Sequence, residues 1–486
     1  MDFNRRRENG RGRSLGKSTV ERGVFCCIMG LSERTAEAIS ASLIAAAQDK
    51  EVQPMRMKKL IAIVLAATLL WCIPAGCSKK TDSSSGKEIS DIKTKERENG
   101  NEAVFELAEA KSGKTSLDTD KLNDAYLEFV FGLMNKCASG AGKENVLISP
   151  DSVFFTMMMV SAGANGETLD QMTETMVPGA EPSEALLYAS NRMYEMSDDT
   201  LGIANSAWLN EKISDYVYED YLNYVSEHFD AEVQPIAFDS NGVNKINSWV
   251  SQMTDGMINK VIDNLGSGDA MVLANTITFD ARWKDPYDEY ERSSQEFRDG
   301  NGEKKSVKFL HDTEHVYFNN GKAEGFLKPY AEGNYAFMTI LPHAKGVDIN
   351  QFMSEMTADD YRAYWNSMDT SKVIRAYMPQ FNSEFSVEMK DILSEMGMED
   401  AFSGKADFSN MTSESVFIGS VLHKTFIKVT PEGTQAAAAT TEIMTMGLGP
   451  EDEIWIVCDR PFAYAIVDTR TGLPVFLGTV ETVEQD

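Results

Sequence analysis

Pro431-Glu432-Gly433-Thr434-Gln435-Ala436-Ala437-Ala438-Ala439-Thr440-Thr441 is the stretch on which the fold of this 486-residue chain turns. Four successive alanines would suit a helix, yet a glycine precedes them, threonines follow, and no amphipathic stripe continues. Its unusual property is smallness, with no large or charged side chain from Ala436 to Thr441. A surface linker has this composition. So has a segment able to slide between two existing strands, because inward side chains this short need little room in a close-packed interior. At the period of a strand, Thr434, Ala436, Ala438 and Thr440 face inward and Gln435, Ala437, Ala439 and Thr441 face solvent. The run alone does not choose between the two; its surroundings do.

Beyond the run, Glu442 continues the inward series, where an unpaired carboxylate would cost several kcal/mol unless it reaches solvent. Ahead of it, Pro431 removes a backbone donor at the root. Strand-like runs lie on both sides: Met271–Phe279, Tyr335–Leu341, Lys372–Pro379, Val416–Gly419, Lys424–Val429, Ile454–Val457, Ala463–Asp468 and Val475–Val480. Helical spacing governs the earlier part, with Leu122, Ala125, Phe129 and Leu133 on one stripe and Ile246, Trp249, Val250 and Met253 on another. Helices weighted early and strands weighted late predict an α+β fold without alternating βαβ units. From about Leu117 no linker or repeat interrupts the chain, so residues 117–486 are expected to form a single domain.

Upstream of that domain the composition changes. Net charge is −29 over the whole chain and −34 from Cys77 onward, because residues 1–76 are basic overall. A body this acidic repels phosphate, and no basic patch offsets it, so a nucleic-acid partner is not expected. Met57-Lys58-Lys59 and the apolar run Leu60 to Ile73 have the n-region and h-region of a secretory signal, and fourteen residues are too few to span a bilayer. Residues 57–76 are thus expected to be a signal peptide, with 1–56 an upstream extension ahead of the true start at Met55 or Met57. Ile73-Pro74-Ala75-Gly76-Cys77 resembles a bacterial lipoprotein processing box, which implies lipid on Cys77 and membrane contact through that anchor only. Ser, Lys, Glu and Gly then dominate residues 77–116, a composition that reads as a disordered tether. The expected location is the cell surface or the extracellular space.

Conventional catalytic constellations are thin. Of six cysteines only Cys137 and Cys458 fall in the body, so the core rather than cross-links is expected to stabilise it, although a bridge between these two stays open. His311-Asp312-Thr313-Glu314-His315 has the H-x-x-E-H spacing of a zinc protease, but β-leaning residues flank it, so a turn is expected and metal binding is not. No nucleophile elbow, phosphate loop or CxxC pair is present, and no cofactor is expected.

Several separate motifs, in order, make the body resemble the serpin family over nearly all of residues 117–482. Asn145-Val146-Leu147-Ile148-Ser149-Pro150-Asp151-Ser152 is similar to the family's N-x-x-x-S-P-x-S segment, and Gly163 to Thr168 to the turn before a later helix. Ile246-Asn247-Ser248-Trp249-Val250 with Thr254-Asp255-Gly256 is similar to its I-N-x-W-V motif and the T-x-G that follows. Asn275, Phe279 and Arg282-Trp283 are similar to one strand, and Arg460-Pro461-Phe462, Asp468, Thr471-Gly472, Phe476 and Gly478 to the closing signature.

The resemblance implies a monomeric single domain of three β-sheets and about nine helices, displaying an exposed reactive-centre loop. It implies a suicide inhibitor: a protease attacks the loop, forms an acyl-enzyme, and is carried and distorted as the cleaved loop enters the main sheet, a transition for which the family is itself a standard example. Glu432, Gly433, Thr434, Gln435, Ala436, Ala437, Ala438, Ala439 and Thr440 would form the loop hinge, with Gly433 supplying backbone freedom at the fold-over. About 14 new strand residues, at 0.5–1.5 kcal/mol per net hydrogen bond, would drive insertion by roughly 10 kcal/mol before ordering entropy. The family's spacing from Gly433 puts the scissile bond at Met446, Gly447 or Leu448.

No Lys or Arg occurs from Gly433 to Cys458. That argues against trypsin-like targets and for elastase-, subtilisin-, chymotrypsin- or papain-like endopeptidases. Ser149, Ser152, Asn275 and His423 would form a polar cluster controlling sheet opening, and Trp283 would stand where the loop first enters. The alternative of another class is a non-inhibitory binding protein on the same fold, cleaved as a plain substrate.

Overall fold

Ser149 and Pro150 show how local chemistry starts this architecture. Ser149 caps helix α2 (Pro150–Ser161), its side chain accepting from Ser152 N, and Pro150 occupies the first turn, where no donor is lost. The computed structural model describes residues 117–196, 200–266, 270–434 and 453–484. The expected extension, signal peptide, Cys77 anchor and tether lie outside the described residues, as do Gln435 to Thr440 of the hinge and Met446, Gly447 and Leu448. The chain divides into two units, Met1–Ser84 and Ser85–Asp486, and every described residue falls in the second.

The other helices are α1 (Thr119–Gly140), α3 (Gly166–Met176), α4 (Pro182–Met196), α5 (Glu219–Phe229), α6 (Ser240–Met253), α7 (Ile349–Ser354), α8 (Ala358–Trp365) and α9 (Lys390–Met396), making nine among the described residues. The two predicted stripes lie on α1 and α6, where Leu122, Phe129, Leu133, Ile246, Trp249 and Val250 are buried.

A six-stranded sheet runs in the order β1 (Leu147–Ile148), β17 (Pro474–Val480), β16 (Phe462–Asp468), β10 (Tyr335–Pro342), β9 (Ala323–Pro329), β8 (Tyr317–Asn319). Every residue of β10, β16 and β17 is buried, which explains their continuous apolar runs. A four-stranded sheet has the order β15 (Glu453–Val457), β11 (Val373–Pro379), β7 (Lys304–Glu314), β6 (Arg292–Arg298), with β15 and β11 parallel.

Among the described residues the main sheet is in two pieces. Its lower piece is β3 (Ala231–Ile236), β2 (Leu201–Asn210), β4 (Met271–Phe279); its upper piece is β12 (Phe381–Glu388), β13 (Leu422–Val429), β14 (Gly433–Thr434), β5 (Ala281–Arg282). Only Asp280 separates β4 from β5, so one strand path joins the two pieces.

The motif residues act as ties within this frame. Asn145 Nδ2 donates to Thr482 O at 2.8 Å while its Oδ1 accepts from Glu481 N and Thr482 N, locking the start of β1 to the chain end. Asn247 Oδ1 accepts from Val261 N and Ile262 N, holding the strap after α6. Gly472 turns at φ +74°, and a Cβ there would meet the Trp365 ring within 2.7 Å.

Two expected elements differ. Val416–Gly419 is no strand and pairs with none among the described residues; Ile418 N donates to Ala401 O instead, and the segment lines the space beside β13. His311 to Glu314 is no turn but the end of β7, with His311 opposite Tyr377. A strand puts His311 and Glu314 on opposite faces, unlike the shared helical face the zinc motif needs. Cys137 and Cys458 are both free and buried, and burial raises both thiols, Cys137 to about 12.

Candidate functional site: a parted sheet and the root of the loop

Below β14, β4 pairs only with β2 and β13 only with β12 among the described residues. The space between them is a cavity of about 370 Å³ lined by Met271 to Thr276 of β4, Leu422 to Lys424 of β13, the α2 face from Ser152 to Val160 and the segment from Ser415 to Val421. β4 is half-buried along most of its length, as an edge strand without a neighbour would be.

At the top of this seam the chain has already entered. Thr430 to Gly433 makes a tight reversal in which Thr430 N and Oγ1 both donate to Gly433 O, at 2.9 and 2.8 Å. Gly433 and Thr434 then pair with β13 on one side and β5 on the other. Gly433 is not needed there for an unusual φ. A Cβ at this position would come within 2.1 Å of Ala281 O, so glycine is required because two backbones meet. Thr434 is 1% exposed and its Oγ1 lies 2.6 Å from the Tyr330 hydroxyl, so it faces inward. Pro431 lacks a donor, but its carbonyl accepts from Tyr287 N, and Glu432 O accepts from Trp283 N.

Aromatic rings floor this root. Trp283 is 1% exposed, donates from Nε1 to Thr430 O at 2.9 Å and stacks on Tyr330 at 4.5 Å between centroids. Beneath them sits an ammonium the sequence did not single out. Lys328 Nζ lies 4.2 Å from the Tyr287 ring centroid, 2.9 Å from Glu314 Oε1 and 3.0 Å from Asp312 Oδ2. Burial pushes the Glu314 carboxyl up to about 7 even beside that cation.

Lower down, the polar residues divide. His423 is buried and its Nε2 accepts from Ser149 N at 3.2 Å, which ties β13 to the cap of α2, while Thr425 Oγ1 donates to Leu147 O at 2.6 Å. Burial depresses the His423 imidazole to about 4, so it is neutral there and able to accept. Ser152 lines the same cavity. Asn275 lines it from the other wall but is not hydrogen-bonded to this group: its Nδ2 donates to Asn205 Oδ1 on β2 at 2.7 Å, and its buried Oδ1 has no partner among the described residues.

Lys328, Asp312, Tyr287 and Tyr330 were missed because their spacing in sequence says nothing. The one available signal is Asp312 and Glu314 at a strand's period of two, just after the apolar Phe309-Leu310.

Comparison with known proteins agrees with this geometry. The family model described as "Serpin (serine protease inhibitor)" matches residues 124–483. An uncharacterized serpin-like protein of Methanosarcina mazei is 29% identical over 408 residues, 79% of this chain and 94% of that one. The leukocyte elastase inhibitor of Xenopus laevis is 28% identical over 376 residues, covering 74% and 98%. The native crystal structure of a thermophilic serpin, tengpin, superposes with a TM-score of 0.70 at 31% identity, covering 81% of this chain and 98% of that one.

Proposed function

The chain belongs to the serpin family, and from that premise we propose that it is a covalent-trapping inhibitor of serine endopeptidases, and of papain-like cysteine endopeptidases, rather than a catalyst. One observation carries this reading: the sheet is parted next to a loop root already threaded into its upper end. The cavity between β4 and β13 continues the path on which Gly433 and Thr434 have started, and small side chains are what such a slot accepts. In this reading Gln435 to Thr440 follow Thr434 into the sheet after cleavage at Met446, Gly447 or Leu448, and the acylated protease is dragged along. Insertion must outrun hydrolysis of the acyl bond. Ser149, Ser152 and His423 hold one wall of the slot, Asn275 the other, and Trp283 guards the entry.

The targets are enzymes that accept Met, Leu or a small residue. A relative named for inhibiting leukocyte elastase supports that class. Incubation with elastase, subtilisin, chymotrypsin and papain, followed by denaturing electrophoresis, tests the reading. A covalent complex is expected, and the cleaved product should melt well above the intact chain. Cleaved chain alone, with no rise in melting temperature, would instead establish a non-inhibitory binding protein consumed as a substrate. We further propose that the protein acts as a monomer outside the cytoplasmic membrane, held by lipid on Cys77. Cys77→Ser should then move it from the membrane fraction to the soluble one.

A further inference from the structure

Trp455 is 59% exposed on β15, the strand that begins where the loop segment ends. It does not stand alone. Its ring stacks on Tyr377 at 5.7 Å and 14°, and Tyr377 stacks in turn on His311 at 5.0 Å and 25°, so three rings cross three strands on one face of the sheet. Arg375, the register partner of Trp455, donates to Thr313 Oγ1 and to Glu453 Oε1, each 2.7 Å from a guanidinium nitrogen. The rings are thus pre-ordered and the nearest charge is already satisfied. Trp, Tyr and Arg are the residue types in which interface hot spots are enriched, because each offers large rigid area at low ordering cost.

We propose that this patch is an exosite that docks the body of the protease attacking the loop. The inference deepens the inhibitor reading and rests on its placing of the scissile bond at Met446 to Leu448. Trp455 lies seven residues past Leu448, and an extended chain of that length spans at most about 25 Å. A 200-residue protease has a radius of gyration of about 16 Å, so the body of an enzyme seated on the loop is within reach of Trp455. The occupant is the rim of that enzyme's cleft, presenting an apolar side chain to the Trp455–Tyr377 stack. The contact is made before and during acylation, and loop insertion does not use it.

Trp455→Ala, an exposed position where the fold should tolerate truncation, tests this against subtilisin and elastase. The second-order rate of complex formation should fall about tenfold, the scale of one hot-spot side chain. The ratio of complex to cleaved chain should stay unchanged, and the loss should persist at high salt because the contact is apolar. If the variant reacts at the wild-type rate with both enzymes, the exosite does not exist. If the wild type yields only cleaved chain, the inhibitor reading fails, yet the cleavage rates of wild type and variant still decide the exosite. Affinity for active-site-blocked subtilisin gives an independent readout: unchanged affinity in Trp455→Ala overturns the proposal, and weaker binding supports it.

Discussion

At the upper end of the seam, β14 fills the gap between β13 and β5 over a floor of Trp283, Tyr330 and Tyr287 that rests on the buried Lys328 and Glu314 and the partly buried Asp312. At the lower end no strand fills the gap among the described residues, and each wall has its own tie, β13 through His423 to Ser149 at the cap of the helix beneath the seam and β4 through Asn275 to Asn205 on β2. The closed half holds the incoming chain by dense packing and charge. In the open half, β13 bonds to the helix cap and β4 to β2. Among the described residues the seam is thus paired where the loop starts and unpaired below it, the arrangement that the proposed loop insertion requires.

The strongest way to break the contrast is to stop the chain entering at the top. Thr434→Arg buries a guanidinium beside Tyr330 at a site 1% exposed, and should expel β14 and, on the inhibitor reading, leave a chain that is cleaved only as a substrate. The gel assay would show cleaved chain and no complex; persistence of a complex would contradict the path assigned to Thr434.

Acid should act on the two halves with opposite sign. Glu314 has a carboxyl raised to about 7 from 4.5, so its stabilising share is complete below 4.5 and is lost as pH rises through 7. His423 is lowered to about 4 from 6.5, so its share is complete above 6.5 and is lost as pH falls through 4. Each shift corresponds to about 3 kcal/mol. His423→Ala should therefore gain melting temperature, relative to the wild type, on going from pH 7 to 4.5, and Glu314→Gln should lose it over the same range. Melting curves at a series of pH values decide this, and parallel profiles for the two variants would contradict it. At pH 7, His423→Ala also removes the tie to Ser149 and should speed heat-induced polymer formation, followed by native electrophoresis.

The gentlest probe is Trp283→Phe, which keeps the stack on Tyr330 but removes the Nε1 donor to Thr430 O. A loss of about 1 kcal/mol is expected, with a modestly higher fraction of cleaved chain. An unchanged melting temperature would mean that packing alone fixes the root.

Much of the site was legible in residue order, for identifiable reasons. Ser149, Pro150, Asn145 and Asn247 cap or tie backbone within their own neighbourhoods or at a signature end, so their types carry their roles. Gly433 was legible as a special position but for another cause, since the requirement comes from Ala281 O across the sheet rather than from its own φ. Val416–Gly419 has strand composition without a strand partner. The H-x-x-E-H spacing was misleading because β7 turns its two ends to opposite faces, giving Glu314 to Lys328 and His311 to Tyr377.

From residue order alone came the family resemblance, the small-residue run, the acidic body and the absence of a basic residue near the expected scissile bond, because these depend on chemistry and spacing along the chain. The tertiary structure alone decided that no described strand joins β4 to β13 below β14, that Thr434 is already paired in the sheet, that Lys328 is buried beside Glu314, and that Trp455 stands exposed in a ring stack. Such facts depend on which strand edges lack neighbours and which distant groups share a space, and a chain has no way to write those in its local pattern.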